Sequence, residues 1–195
     1  SIKAAASVPP AARKGGATQE ANEEKTLLAV QRDLGQIPYL QELLAESPQG
    51  TQDLFAVGLT KMRTRNFFEA RLAFQTIVHR FPDCKLIAPA YLAVGISYAL
   101  EGGKENLMLA ADQFENYMIF FPPGDGVPEL FQAAQIDLAV VEIQLMQSAD
   151  CDKEWRTAGA VAVKTLTAFL NQWPDNPQAP AARDWLSLAQ YYLSK

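Results

Sequence analysis

The sequence predicts an all-α protein built as a stack of helical hairpins, and two observations carry that expectation. A pattern over residues 51–82 returns over 88–122, and weaker copies follow. In the first copy Gly58 is followed by Ala70 after twelve residues, Phe74 four further on and Pro82 eight beyond that. In the second, Gly95 leads to Ala110, Phe114 and Pro122, with the last two intervals unchanged and three residues added between the two expected helices. A unit of this size cannot cover its own apolar face, so it must stack on neighbours.

The spacing is that of a tetratricopeptide unit, a helix-turn-helix of about 34 residues. It predicts a right-handed solenoid of roughly three and a half repeats. Gly58 and Ala70 are small where two antiparallel helices cross, as close approach requires. Phe74 fills the gap towards the next repeat. Pro82 cannot donate its amide and disfavours helix at Phe81, so it ends the second helix. Tyr91, Val94 and Tyr98 repeat at spacings of three and four, as a buried helical stripe demands.

Taken in order, residues 1–25 are small, polar and Pro/Gly-containing, and read as a flexible tether ahead of a repeat domain over 26–195. From Thr26 to Ser47 the leucines fit one or two helices interrupted near Gly35 and Pro38, closed by Ser47-Pro48-Gln49-Gly50. After the two clear repeats, Pro122, Pro123, Gly124, Gly126 and Pro128 make a corner. Helix is expected to resume at Val127 or Pro128, run to about Met146, break over 147–155, and run again to Trp173 before Pro174. Ala162 and Leu166 take the small and large packing positions there, with Ala139 as the substitute for the crossing glycine. Trp185, Leu186, Leu188, Ala189 and Tyr192 copy Tyr91, Leu92, Val94, Gly95 and Tyr98 as a half repeat able to cap the array.

With 17 basic and 22 acidic residues and a net charge of −5, the chain offers no broad attraction to nucleic acid or anionic lipid. Its longest apolar stretch, around Tyr117 to Phe121, is far short of the ~18 residues of a membrane span. No metal or cofactor is expected. Cys84 and Cys151 lack CxxC spacing, and His79 is the only histidine. Whether the two cysteines pair is open from spacing alone. Asp150, Asp152 and Glu154 alternate like the start of a calcium loop, but Trp155 stands where its glycine belongs and Val161 where its glutamate belongs. They read as an acidic solvated turn. Gly102-Gly103 lacks the residues of a phosphate loop and reads as an accommodation of a longer turn.

The remaining expectation is a binding surface. By repeat position, the inner face carries Gln52, Phe55, Leu59, Met62 and Arg63 from the first unit and Leu92, Ile96 and Ala99 from the second, with Arg65 extending a basic edge. An apolar strip with a few cations suits an extended peptide bearing aromatic side chains and a carboxylate. The competing reading is that residues 27–46 fold back and make the strip ordinary core.

The runs FFEARLAFQTIVHRFPD, APAYLAVGISYAL, ADQFENYMIFFPPGDGVPELFQAAQIDLAVVEIQLM and AVKTLTAFLNQWPDNPQAPAARDWLSLAQYYL resemble the BamD (YfiO/ComL) outer-membrane assembly lipoproteins over residues 51–193. The repeat consensus, the Pro-rich corner and the entry into the last half repeat carry the resemblance. It implies a non-enzymatic scaffold on the periplasmic face of the outer membrane, held by an N-terminal lipid anchor. It also implies two partners: the POTRA domains of a BamA-type barrel insertase, and the C-terminal signal of unfolded outer-membrane proteins, received around Phe55, Leu59, Met62 and Arg63. Two alternatives remain open: another periplasmic adaptor of the Tol-Pal or cell-wall type, and the helical domain of a cell-wall lytic enzyme. For the last, Glu101, Glu105 and Glu142 are the candidate carboxylates, against their reading as turn charges and solvated helix faces.

Overall fold

The structure, a computed structural model, describes residues 45–124 and 127–194. The expected tether and nearly all of the segment from Thr26 to Ser47 lie outside the described residues. Those described form seven helices and no strand: α1 (Gln49–Arg63), α2 (Phe67–Arg80), α3 (Ile87–Glu101), α4 (Lys104–Phe120), α5 (Pro128–Gln147), α6 (Asp152–Gln172) and α7 (Ala179–Leu193). Each helix packs mainly on its neighbours in sequence. In addition α3 reaches α5 and α5 reaches α7, contacts that the even-numbered helices do not match among themselves.

The repeat seen in the letters is present in the packing. A Cβ on Gly58 would stand 2.5 Å from the Phe74 ring, and one on Gly95 2.7 Å from the Phe114 ring. Both rings are fully buried, as are Ala70 and Ala110. Phe74 thus packs on the first helix of its own unit, where Phe55 also meets it edge-on at 5.3 Å. In the third unit Ala139 and Leu166 share one buried cluster with Ile143, Ala162, Phe169, Ala182 and Ala189. A leucine where the earlier units carry phenylalanine matches an alanine where they carry glycine, conserving volume across the crossing.

The backbone repeats as well. The helices α2, α4 and α6 end at Phe81, Phe121 and Trp173 with φ/ψ of −130/56°, −127/66° and −130/57°. Each donates its N–H to the carbonyl four residues back, on Ile77, Tyr117 and Phe169, and each precedes a proline that cannot continue the helix. The turns out of α2 and α6 share one bond ladder: the amides of Cys84, Ile87 and Ala90 donate to the carbonyls of Phe81, Cys84 and Leu86, and those of Asn176, Ala179 and Ala182 to Trp173, Asn176 and Gln178.

Two boundaries differ from expectation. The three extra residues of the second unit do not lengthen its turn, because Gly102 (φ 74°) and Gly103 (φ 82°) reverse the chain in two residues. The insertion instead extends the start of α4, which runs six residues before Ala110 where α2 runs three before Ala70. The break after α5 spans only residues 148–151, and α6 begins at Asp152 rather than near Trp155. Asp152 and Glu154 therefore sit in a first helical turn, where the free amides and the helix dipole favour negative charge. In the first unit, the α1–α2 turn closes as a Schellman motif: Asn66 N–H donates to Lys61 O and Arg65 N–H to Met62 O, with Arg65 at φ 59° in the position glycine favours. Asn66 then caps α2 by accepting from Glu69 N–H.

Candidate functional site

The expected groove residues divide by burial. Phe55, Met62, Leu92 and Ile96 are buried, Leu59 is half-buried, and Arg63 is exposed at the end of α1. Of the six, only Leu59 and Arg63 present surface to a peptide. Gln52 is half-buried and donates from Nε2 to Ser47 O at 2.7 Å.

Large apolar surface lies elsewhere, at positions the sequence reading passed over. On α2, Phe68 is 64 % exposed and Leu72 is also exposed, one turn apart on the face away from Ala70 and Phe74. At the end of α4, Ile119 and Phe120 are exposed beside an aromatic cluster in which Tyr91 meets Phe120 at 5.9 Å and Phe121 at 5.6 Å, and Phe121 meets Tyr117 at 5.0 Å. Burial pushes the Tyr117 and Tyr91 hydroxyls above the usual tyrosine value. Helical register carried a signal for Phe68 and Leu72, which fall opposite the packing pair.

Ionic side chains also meet where one hairpin joins the next. Between α2 and α3, the buried Arg71 lies over the Tyr98 ring at 4.3 Å, with Nη1 2.6 Å from a Glu101 carboxylate oxygen, close enough to pair although out of hydrogen-bond alignment. Between α4 and α5, Glu142 is 8 % exposed, so it is not a charge on a solvated face as expected. Desolvation, then Glu115 and Asp112 on α4, push its carboxyl up to about 7. It has no hydrogen bond or ion pair among the described residues. Gln135, also on α5, is satisfied by the Trp173 indole N–H at 3.1 Å.

The acidic turn is not free either. Lys104, the first residue of α4, pairs with Asp150 and, at 2.8 Å, with Glu154, tying the second unit to the third. The two carboxylates raise the Lys104 ammonium, and Lys104 in turn holds Glu154 below the usual carboxylate range. Asp152 pairs with Arg156 within α6. Glu105 and His79 are exposed, and Cys84 and Cys151 are free thiols, the first half-buried and the second exposed. Among the described residues no group of three His, Cys, Asp or Glu can surround a metal ion, and no helix is long and apolar enough to cross a membrane. Compared with known proteins, the chain matches no family model, no curated protein sequence and no solved structure.

Proposed function

We propose that the chain is a tetratricopeptide-type right-handed solenoid that works as a non-enzymatic protein-binding scaffold. Following its resemblance to the BamD lipoproteins, we place it in outer-membrane β-barrel assembly, on the periplasmic face and lipid-anchored. The recurring glycine–phenylalanine crossing, the matched helix endings and the contacts of α5 with α3 and α7 support the solenoid. The observation that carries the binding role is the exposed apolar surface of Phe68, Leu72, Ile119 and Phe120, which a protein partner would cover. The machinery assignment rests on the resemblance.

The lytic-enzyme alternative gains one point, since a carboxyl poised near neutrality suits a general acid. Against it, Glu142 is 8 % exposed, too little surface for a saccharide ring to lie against. The test is calorimetric titration of the chain with a purified BamA-type POTRA array. Saturable binding lost in Phe68→Ser with Ile119→Ser supports the reading. Absence of binding by a chain of native helicity contradicts the assignment to barrel assembly. For the client signal, Leu59→Arg should weaken capture of a peptide ending in phenylalanine while helicity by circular dichroism is kept; loss of helicity would make Leu59 core.

A further inference from the structure

We propose that the junction of α4 and α5 is a binding site for an arginine side chain of a partner protein. This goes beyond the scaffold reading and does not depend on which machinery the scaffold serves.

The starting point is Glu142, a residue 8 % exposed whose carboxylate is largely withdrawn from solvent and has no protein group to balance it among the described residues. Glu142 is without a hydrogen bond or ion pair among the described residues, and the groups in electrostatic reach, Asp112 and Glu115, are further carboxylates exposed on α4. The cation of α4's first turn, Lys104, is committed to Asp150 and Glu154. A buried charge of this kind is costly unless paired.

The previous junction shows what pairing looks like in this fold. There α2 supplies Arg71, which lies over Tyr98 and beside Glu101. Aligning the units on their packing positions, Ala70 with Ala110 and Gly95 with Ala139, puts Ala111 where Arg71 stood and Glu142 where Tyr98 stood. Ala111 is itself buried, with only its methyl group in place of a guanidinium. The second junction therefore gathers negative charge at the register where the first carries its cation, and lacks the cation.

The chemistry of the missing group follows. A divalent ion is disfavoured because these carboxylates do not converge as a ligand set. A guanidinium fits better than an ammonium: its planar fork engages two carboxylates at once, and it gives up water more readily on entering a partly buried place. Glu142 would anchor the inner edge of the guanidinium, with Asp112 and Glu115 at the rim.

The test is amide NMR of the full chain titrated with acetyl-tri-arginine amide, and in parallel with tri-citrulline and tri-lysine amides. Citrulline has the shape of arginine without the charge. Tri-arginine should give saturable shifts centred on Ala111 and Glu142, tri-lysine should bind several-fold more weakly, and tri-citrulline should bind undetectably. Glu142→Gln combined with the surface change Glu115→Gln should weaken tri-arginine at least tenfold, and Glu115→Gln alone, which does not touch the core, should weaken it measurably. Equal response to tri-lysine, or shifts scattered over the acidic surface and unchanged in the variants, would overturn the site and leave only the general attraction of a chain of net charge −5.

Discussion

The α2–α3 and α4–α5 junctions are built on the same steric plan and opposite electrostatics. In both, a second helix carrying a buried phenylalanine, Phe74 or Phe114, hands the chain to the first helix of the next unit. At the first junction the buried ionic side chain is a cation with a carboxylate and an aromatic face beside it. At the second it is a carboxylate facing carboxylates. The lesson is that sterics set the repeat while charge at the boundary is free to vary. A glycine facing a phenylalanine ring is required by volume wherever helices cross closely, whereas a boundary charge needs a partner that either the chain or another molecule can supply.

The largest expected effect breaks what the two halves share. Gly95→Ala puts a methyl 2.7 Å from a ring that is fully buried, and should cost about 3 kcal/mol in urea unfolding. Adding Phe114→Leu, the third unit's own solution, should recover part of that loss. Gly159→Ala is the contrast: its new methyl meets the unbranched Met146 and the Leu193 side chain rather than a rigid ring, and the loss should be clearly smaller.

The next two changes separate the junctions. Arg71→Met removes the paired cation and should cost about 2 kcal/mol. Glu142→Gln has the opposite sign, and its effect depends on pH. Desolvation and the neighbouring carboxylates push the folded carboxyl up to about 7, against 4.5 for an unperturbed glutamate, so folding favours the protonated form. Stability from this group is complete below about 4.5, declines as pH rises, and is fully lost above about 7. Glu142→Gln should therefore be neutral at pH 4 and stabilising at pH 8 by about 1.5 kcal/mol, roughly half the full linkage value since solvent still reaches the carboxyl. A variant equally stabilised at both pH values would show that packing, not charge, is at issue. The smallest effect lies outside both junctions: Arg65→Gly relieves a left-handed residue in the α1–α2 turn and should gain about 0.5–1 kcal/mol.

The helices and their crossings were legible because they rest on local rules with few competitors. Gly58, Ala70, Phe74 and Pro82 announce a close crossing, a filled gap and a stop, and the same set at Gly95, Ala110, Phe114 and Pro122 removes coincidence. Burial was less legible. The position rule that placed Phe55, Met62, Leu92 and Ile96 on an inner face cannot say what covers that face, and they are buried. The Gly102-Gly103 turn is shorter than expected because inserted residues can extend a helix as readily as a loop. For Glu142 the sequence does carry a signal: Val140, Val141 and Ile143 around it leave α5 without a broad polar face there, so a carboxylate among them is largely withdrawn from solvent. Arg71 could not be paired with Glu101 from sequence, since nothing local links residues on different hairpins.

The most direct measurement is the titration of the Glu142 side-chain carboxyl by carbon-13 NMR in the intact chain, alone and with saturating tri-arginine. A midpoint of about 7 alone, moving down when the peptide binds, is the result expected of an unpaired carboxylate awaiting a cation. A midpoint near 4.5, unmoved by the peptide, would mean that Glu142 is solvated or already paired, and the contrast between the two junctions would fall.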